Sequence, residues 1–419
     1  MTVGTPFHPR TAAANTALQW KEWSGYLSAT AYADAPDIEY NAIRNAAALI
    51  DVSPLYKYRL SGPDAVVLVD RVITRDARRL EPGRVIYTPW CDEHGHVVDD
   101  GTVARLDDGS IRWTAAEPQL RWLRLNAAGL DIEIEDLSEA VAAVALQGPL
   151  SRAVLEAAAD GQATEGRAAE GGARGGPAAD GRSIGRLPYF RRQSVSIAGI
   201  AVDVSRTGYT GDLGYELWVD AASAPALWDA LTAAGAPYAI RAAGLLALDI
   251  VRLETGLLLL DVDYTSARAA QTPEQAYSPY EIGLGRLVDL DKPAFIGRRA
   301  LIAERDAGGP RRRLVGVVLD WTRIERVAAA HGLSPAAPSV VSRSPVPVYA
   351  PRGGSQVGRV TSSGWSPILK QVIGLASIDT GSSRPGTRLD VEWTVEGRRD
   401  RVAATVVELP FLDLERKRA

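Results

Sequence analysis

Carboxylates at two places in this sequence have neighbours that suit a catalytic or ligand-binding role. The first place holds two adjacent aspartates. Asp99 and Asp100 follow an apolar Val-Val pair in the stretch 91–101 (CDEHGHVVDDG). Neighbouring residues of a strand point to opposite faces, so we expect one of the two carboxylates to face inward. An inward carboxylate in a cleft can hold a nearly neutral amine, relay a proton or stabilise an iminium-like cation. The alternative is a turn-edge pair in water.

The second position is Glu216, in the stretch 205–217 (SRTGYTGDLGYEL). Three glycines in seven positions predict a tight backbone excursion at the end of a strand. A carboxylate after such a loop suits a flat ligand with two adjacent N–H donors, because it can accept both at once. The alternative is an edge-strand glutamate in solvent. The spacing is not GxGxxG, so it does not predict a phosphate-binding loop.

Two further positions have both a structural and a ligand-binding interpretation. Arg252 lies at the end of an apolar helix pattern over 241–255, where it could form an ion pair with Glu254 at a domain junction. Trp365 lies on a glycine-supported loop (361–367, TSSGWSP), where it could stack on a ring or cap a small barrel. For both residues the structural interpretation is the more common one.

The histidines do not predict a metal site. His94 and His96 on a turn could chelate, but zinc sites need further ligands at defined spacing. The chain has only four histidines and one cysteine, Cys91. An intramolecular disulfide and an all-thiolate metal site are therefore excluded.

The composition is that of an ordinary globular protein. The 419 residues are 46% hydrophobic and 23% charged, with a net charge of −4, enough chain for two or three domains. This balance predicts that the protein binds neither nucleic acid nor an anionic membrane surface. Individual arginines would have to bind the anionic tail of a substrate that carries one. The first ten residues contain no apolar segment and no run is long enough to span a membrane, which predicts a cytoplasmic protein.

Helix and strand patterns are mixed along the chain, which favours an α+β fold over a doubly wound sheet. We expect a helix over 38–50 and a meander of strands over 84–90, 97–106 and 110–114. From residue 312 onward, short strands broken by Pro and Gly predict a small β-barrel or sandwich. The stretch 157–183 is rich in alanine and glycine and contains no large apolar side chain. We interpret it as a disordered surface insertion rather than an interdomain linker.

The order of several motifs resembles the T-protein (aminomethyltransferase) family of the glycine cleavage system, including its tetrahydrofolate-dependent demethylase relatives. The most specific motif is 206–211 (RTGYTG) followed by 214–216 (GYE). The likeness runs over almost the whole chain. The other motifs are 50–53 (IDVS), 60–64 (LSGPD), 252–254 (RLE), 290–298 (LDKPAFIGR), 360–362 (VTS) and 366–367 (SP).

The resemblance implies a three-domain cloverleaf around a central cavity that holds tetrahydrofolate. The first α+β domain would combine 1–57 with 141–250 and would carry the insertion. The second α+β domain, which carries Asp100, would combine 58–140 with 251–300. The third domain, 301–419, would be the C-terminal β-barrel.

The resemblance also implies roles for individual residues. Asp100 matches the catalytic carboxylate beside the folate nitrogens that receive the carbon. Glu216 matches the acid that binds the pterin ring, and Tyr87 and Tyr209 match aromatic positions that line the site. We also place Arg252 and Trp365 among the cofactor-binding positions, and we predict no metal ligand.

The sequence departs from the family pattern at several points where the one-carbon donor is expected to lie. The family's DVSHMG reads DVSPLY at 51–56, and the glycine pair before the catalytic carboxylate becomes Gly95-His96. The arginine of the family's GARD stretch is Leu248, and the asparagine expected near Thr114 is missing. These departures argue against the one-carbon donor of glycine cleavage more than against folate as the acceptor.

Our hypothesis is therefore a tetrahydrofolate-dependent enzyme that demethylates a small O-, N- or S-methyl compound. The first alternative is an aminomethyltransferase that acts with a lipoyl carrier protein in glycine cleavage. The second is a non-catalytic, folate-binding accessory protein of iron–sulfur assembly. Those relatives carry a cysteine in a KGCYxGQE stretch, and the matching residues 206–212 (RTGYTGD) contain none.

Overall fold

The structure is a computed structural model that describes residues 2–159 and 184–418. Helices and strands are mixed along these ranges, which confirms the α+β class. None of the helices in the two ranges is long and apolar enough to cross a membrane. The described residues form nine α-helices: α1 His8–Ala14, α2 Pro36–Asn45, α3 Ala65–Val72, α4 Leu120–Asn126, α5 Ser151–Ala158, α6 Ala224–Gly235, α7 Leu245–Glu254, α8 Arg298–Asp306 and α9 Trp321–Ala330.

The first of two large sheets has the strand order β11-β12-β13-β10-β4-β14 among the described residues. One face packs on α5 and α6, and the other faces α2 and α7. A three-stranded sheet near the N-terminus has the order β1-β3-β2. The strands are β1 Val3–Gly4, β2 Gln19–Trp23, β3 Tyr26–Ala31, β4 Ala48–Asp51, β10 Val141–Gln147, β11 Arg192–Ile197, β12 Ile200–Ser205, β13 Gly214–Asp220 and β14 Arg241–Ala242.

The second large sheet lies within residues 56–136, all of which are described, in the order β6-β7-β8-β5-β9. One face packs on α3 and α4 around Trp90 and Trp113. The meander expected over residues 84–114 is present as β6, β7 and β8. The strands are β5 Tyr56–Ser61, β6 Val85–Cys91, β7 Val97–Arg105, β8 Ile111–Ala115 and β9 Glu133–Asp136.

In the C-terminal part of the described chain, six strands close a barrel in the order β15-β18-β17-β16-β19-β20. Alternate residues of these strands fill its interior with valine, isoleucine, leucine and alanine. The predicted C-terminal barrel is therefore confirmed. Its strands are β15 Arg312–Leu319, β16 Val346–Tyr349, β17 Gln356–Ser366, β18 Gln371–Asp379, β19 Arg388–Val395 and β20 Arg398–Val407.

The helix expected over residues 38–50 is wrong in its second half. Helix α2 ends at Asn45, and residues 48–51 form β4. The apolar run there is buried on both sides of a central strand that hydrogen-bonds to β10. A short continuous apolar run fits a buried strand as well as a helix, so its spacing did not identify the strand.

The predicted insertion 157–183 falls mostly outside the described residues. Ala157 and Ala158 are the last two residues of α5. Residues 160–183 lie beyond the part of the chain that the structure describes. The insertion thus stays a prediction, as do the exact domain boundaries.

The two large sheets meet through a cation–π contact. The guanidinium carbon of Arg112 on β8 lies 4.2 Å from the centroid of the Trp218 ring on β13. Arg112 and Asp100 are on the same face of their sheet, because Ala104 pairs with Arg112 and lies four residues from Asp100 along β7. Trp218 and Glu216 are likewise on one face of β13. Asp100 and Glu216 therefore both point into the space between the sheets.

A buried ion pair joins two helices to the barrel. Nη2 of Arg44 on α2 lies 2.6 Å from Oε2 of Glu254 on α7, and both side chains are at most 1% exposed. Tyr40 and Ser366 each donate a hydroxyl hydrogen bond to Oε1 of Glu254, at 2.7 Å. Ser366 belongs to β17, so one carboxylate links α2, α7 and the barrel.

We expect Glu254→Gln to lower the free energy of unfolding by about 3 kcal/mol, because the buried Arg44 guanidinium loses its closest carboxylate and keeps only the longer contact with Asp212 at 3.4 Å. Chemical denaturation followed by tryptophan fluorescence measures the change. The matched control is Asp229→Asn, which breaks the solvent-exposed pair with Arg10 and is expected to have no measurable effect. Equal stability of both variants would contradict a structural role for the Arg44–Glu254 pair.

Candidate active site

Asp100 lies on β7 and its carboxylate is held by two phenols. Tyr87 on β6 donates its hydroxyl to Oδ2 at 2.6 Å, and Tyr264, in the segment after α7, donates to Oδ1. Burial raises the pKa of the Asp100 carboxyl, and the two phenol hydrogen bonds offset part of that rise. Burial and the charge of Asp100 also raise the pKa of both phenols. Both tyrosines therefore stay protonated as donors at neutral pH.

The glycine after Asp100 allows the neighbouring strand to approach. A Cβ atom on Gly101 would lie 2.1 Å from the carbonyl oxygen of Thr114 on β8. Asp99, on the other side of β7, is fully buried and accepts a hydrogen bond from the amide of Gln119. The two carboxylates thus point to opposite faces, as strand alternation predicts, and the turn-edge alternative in water is wrong.

Glu216 lies on β13, a central strand of the first sheet, between β12 and β10. The edge-strand alternative is therefore wrong. Thr207 donates its hydroxyl to Oε2 of Glu216. Burial raises the pKa of the Glu216 carboxyl, while the Thr207 hydrogen bond and the charge of Arg112 lower it in part. Glu216 is partly exposed as a residue, and its carboxylate, with one hydrogen bond from Thr207, keeps oxygen lone pairs free for a ligand.

The glycine-rich loop before Glu216 wraps around one buried side chain, Gln147. A Cβ atom on Gly208 or on Gly214 would lie 2.2 Å from the Gln147 amide oxygen. That amide donates to the carbonyl oxygen of Thr207 at 3.3 Å. The glycines are thus explained by close approach to Gln147, which holds Thr207 in place beside Glu216.

The loop carries Tyr209, which donates its hydroxyl to the carbonyl oxygen of Leu258. Burial raises the pKa of Tyr209, the nearby Arg252 charge opposes the rise, and the charges of Asp263 and Asp100 add to it. Tyr209 also adds to the rise of the Tyr87 pKa. The structure therefore brings Tyr87, Tyr209 and Asp100 together.

Arg252 has different partners from those we expected. It pairs with Asp249 at 2.7 Å and with Asp263 at 2.6 Å, and its side chain is 1% exposed. The predicted ion pair with Glu254 is wrong, because the two side chains leave α7 in different directions and Glu254 pairs with Arg44. Arg252 thus lies behind Tyr209 in a buried ionic cluster, and its role in cofactor binding stays a prediction.

The structure places Trp365 on the barrel strand β17, where its ring centroid is 5.5 Å from that of Trp321 on α9. It packs with the apolar cluster of the barrel. No contact among the described residues brings it to Asp100 or Glu216. Its role as a cofactor contact stays a prediction, and capping of the barrel is what the contacts show.

Two contributors to the site were missed in the sequence. Tyr264 follows a run of leucines and aspartates, and no local pattern marks it as a partner of Asp100. Thr207 lies inside the most specific motif, but its hydroxyl could be assigned to Glu216 only once β12 and β13 were paired. Both contacts depend on residues far apart in the chain or across a turn.

The histidines of the β6–β7 turn are on the surface. The side chain of His94 is 72% exposed and that of His96 is 38% exposed. Among the described residues, no three His, Cys, Asp or Glu side chains lie together as metal ligands.

A cavity of about 370 Å³ lies next to β6 and is rich in arginine. Arg75 donates a hydrogen bond to the carbonyl oxygen of Tyr87 at 3.3 Å, so this cavity adjoins the strand that carries the Asp100 partner. Burial and the neighbouring Arg84 and Arg286 charges lower the pKa of the Arg75 guanidinium. The cavity is lined by Arg75, Asp76, Arg79, Leu80, Arg84, Ile86, Arg286, Leu287, Val288 and Asp289.

The positive charge of this cavity is only partly balanced. Asp76 already pairs with Arg78 and Arg79. In the part of the chain that the structure describes, Arg75, Arg84 and Arg286 form no ion pair with a carboxylate. Such a cavity favours an anionic group, because guanidinium groups bind carboxylate and phosphate in a bidentate geometry.

Comparison with known proteins agrees with this architecture. Residues 7–292 match the family described as the GCVT N-terminal domain, and residues 312–413 match the glycine cleavage T-protein C-terminal barrel domain. The solved structure of the glycine cleavage system aminomethyltransferase T from Bartonella henselae has the same fold. Its TM-score is 0.77 at 22% identity, with 97% of both chains covered.

Two curated relatives have higher sequence identity. The trimethylamine-oxide aldolase of Ruegeria pomeroyi is 35% identical over 100% of this chain, which spans only 48% of that relative, about half its length. The aminomethyltransferase of Moorella thermoacetica is 34% identical, with 97% of each protein covered. With both domain matches and these identities over nearly its whole length, the chain belongs to the glycine cleavage T-protein family.

Proposed function

We propose that this chain is an enzyme that transfers a one-carbon unit to tetrahydrofolate, and that its donor is a small O-, N- or S-methyl compound. The observation that carries the proposal is a pair of carboxylates, Asp100 and Glu216, that face one space between two sheets. Neither forms an ion pair within the described residues. A largely buried carboxylate without an ion-pair partner is costly, so such groups are characteristic of ligand sites.

The residues present fit tetrahydrofolate. Glu216 offers a carboxylate that can accept from the paired N–H donors of a pterin. The tyrosines around Asp100 offer aromatic surface for a flat ring. The cavity lined by Arg75, Arg84 and Arg286 offers guanidinium groups for the carboxylates of the glutamyl tail.

Tetrahydrofolate, when bound, supplies the nitrogen that takes the one-carbon unit. Asp100 orients the ligand, stabilises positive charge that develops near it, and accepts a proton at its carboxylate. Tyr87 and Tyr264 hold that carboxylate in one orientation. The protein otherwise contributes proximity, because the reacting groups are held together in a site shielded from water.

Two features favour a methyl donor over the aminomethylated carrier of glycine cleavage. A relative that matches the whole chain is named trimethylamine-oxide aldolase. Departures from the T-protein pattern, Pro54 and Leu248 among them, fall where the resemblance places the one-carbon donor. Aminomethyl transfer from a lipoyl carrier protein is the second candidate, supported by the aminomethyltransferases at similar identity. A cytoplasmic location is part of the same proposal.

The non-catalytic accessory role in iron–sulfur assembly has less support. The stretch 206–212 holds Gly208 and Tyr209 in its centre and contains no cysteine. The only cysteine, Cys91, is buried.

We expect Asp100→Asn to reduce one-carbon transfer by about 1,000-fold, because the amide cannot accept a proton. Single-turnover assays with tetrahydrofolate and a panel of donors measure the change. The panel contains a methylated amine, a methyl ether, a methyl thioether and the aminomethylated carrier protein. Glu93→Gln, an exposed carboxylate on the same β-hairpin, is the matched control and should keep full activity. Unchanged turnover of the Asp100 variant would refute the catalytic assignment, and transfer from the carrier protein alone would select the second candidate.

We expect Glu216→Ala and Glu216→Gln to weaken tetrahydrofolate binding by about 10- to 100-fold, because a charge-assisted hydrogen bond to the ring is lost. Isothermal titration calorimetry without any donor measures the dissociation constant. Glu133→Gln, on the exposed strand β9, serves as the control. Wild-type affinity in both Glu216 variants would show that this carboxylate does not bind the pterin.

We expect the double variant Arg84→Met/Arg286→Met to bind tetrahydrofolate triglutamate about tenfold more weakly than the wild type, since two charge-assisted contacts to the tail are lost. Binding of a pterin without the tail should be unchanged. Arg124→Met, an exposed arginine on α4, controls for the loss of surface charge. An equal loss for both ligands, or no loss for either, would exclude the arginine-lined cavity as the tail site.

A further inference from the structure

Asp99 is the second carboxylate of the pair, and it is enclosed by N–H donors. Its side chain is 0% exposed. Oδ1 accepts from the main-chain N–H of Asp100 at 2.7 Å. Oδ2 accepts from Nε2 of Gln119 at 2.9 Å and from the main-chain N–H of Glu117 at 3.2 Å. Each of these groups can donate a hydrogen bond but cannot accept one.

The orientation of the Gln119 amide is set by its own partners. The indole N–H of Trp90 donates to Oε1 of Gln119 at 3.3 Å, so the amide oxygen points away from Asp99. The main-chain N–H of Gln119 donates to the hydroxyl of Tyr58 at 2.9 Å. A protonated Asp99 would therefore have no acceptor for its proton among these neighbours. We call these three donors, the main-chain N–H groups of Asp100 and Glu117 and the side-chain amide of Gln119, the N–H cage. The N–H cage matches the ionised form of the Asp99 carboxylate.

Asp100 has neighbours of another kind. Its two partners are the hydroxyls of Tyr87 and Tyr264. A hydroxyl can rotate and accept a hydrogen bond as well as donate one. Asp100 can therefore hold a proton without losing its partners, whereas Asp99 cannot.

We propose that Asp99 is a positioning residue that stays ionised and, through its negative charge on the adjacent residue, makes Asp100 a stronger base. The inference rests on the proposed role of Asp100 in transfer. Like charges on neighbouring buried carboxylates disfavour ionisation of both, and the hydrogen-bond donors decide which one keeps its charge. Asp99 touches no ligand and acts only through Asp100.

The other groups that face the pair do not cancel this charge. Asp100 faces the uncharged phenols of Tyr87, Tyr264 and Tyr209. The Arg268 guanidinium is influenced by Asp99 and Glu117, but it donates to the carbonyl oxygen of Pro118 and packs on Trp122. Within the described residues neither carboxylate forms an ion pair, so each one has the other as its nearest uncompensated charge along β7. Burial raises the pKa of both carboxyls, and the charge of Asp100 adds to the rise for Asp99. The N–H donors of Asp100, Glu117 and Gln119 lower the pKa of Asp99 in part, and the two phenols do so for Asp100.

The test is an infrared titration of the unliganded protein with isotope-labelled aspartate. The carboxylic acid band of Asp100 is identified by its absence in Asp100→Asn. In Asp99→Asn we expect the Asp100 midpoint to move to lower pH by about one unit, because the neighbouring negative charge is gone. Glu93→Gln, which removes an exposed charge from the same hairpin, should leave the midpoint unchanged. An unchanged midpoint in Asp99→Asn would overturn the proposal.

Since Asp99 is buried, a second variant keeps the test decisive if Asp99→Asn does not fold. Gln119→Met removes one donor from Asp99 at nearly constant volume. We expect a second carboxylic acid band, from Asp99, that the wild type lacks at the same pH. A spectrum identical to that of the wild type would contradict the idea that the N–H cage keeps Asp99 ionised.

Activity adds an independent readout that separates this inference from the proposed function. Asp100 acts in its ionised form, so kcat/KM falls as the pH falls through its pKa. A lower pKa in Asp99→Asn should move this acid limb to lower pH by the same shift and lower the plateau. Suppose that Asp100→Asn abolishes transfer but that kcat/KM of Asp99→Asn falls at the same pH as that of the wild type. The inference about Asp99 is then wrong, and the proposed function is unaffected. If Asp100→Asn leaves transfer intact, the proposed function is wrong whatever the infrared shift.

Discussion

The structure around the site follows from the cost of keeping the Asp100 carboxylate largely buried without a cation. Desolvation penalises that charge, and two phenols rather than an arginine or lysine compensate for it. Phenols stabilise the carboxylate without neutralising it, so it can still act on a ligand. The arrangement requires strands β6 and β7 and the segment after α7 to meet at one point. Gly101 allows β8 to lie close enough to complete that sheet.

The molecule separates charges that hold the fold from charges that face the site. Arg44 and Glu254 are paired and hydrogen-bonded to saturation, and Arg252 is paired twice behind the loop that carries Tyr209. These clusters join helices to the barrel, and Thr361 and Ser362 of β17 extend one of them through hydrogen bonds to Asp263. The barrel is thereby joined to the segment after α7, which also carries the Asp100 partner Tyr264. Such attachments suit a site whose main contribution is orientation.

The charge around this space differs from one side to the other. Asp100 and Glu216 supply acceptors inside it, and the arginine-lined cavity beside β6 supplies cations nearby. A ligand with a donor-rich flat ring and an anionic tail is complementary to both. The overall net charge of −4 gives no hint of this, because opposite charges are sorted in space and not along the chain.

The sequence by itself determined the fold class, the barrel, the meander and the positions of Asp100 and Glu216, because strand alternation, turn glycines and motif order are local properties. It left open whether these carboxylates were in water, and it misassigned residues 48–51 and the partner of Arg252. Only the tertiary structure decided those points. It paired Tyr264 with Asp100 across 164 residues and stacked Arg112 on Trp218 between two sheets. Burial and long-range pairing depend on how the sheets meet, and no local pattern contains that information.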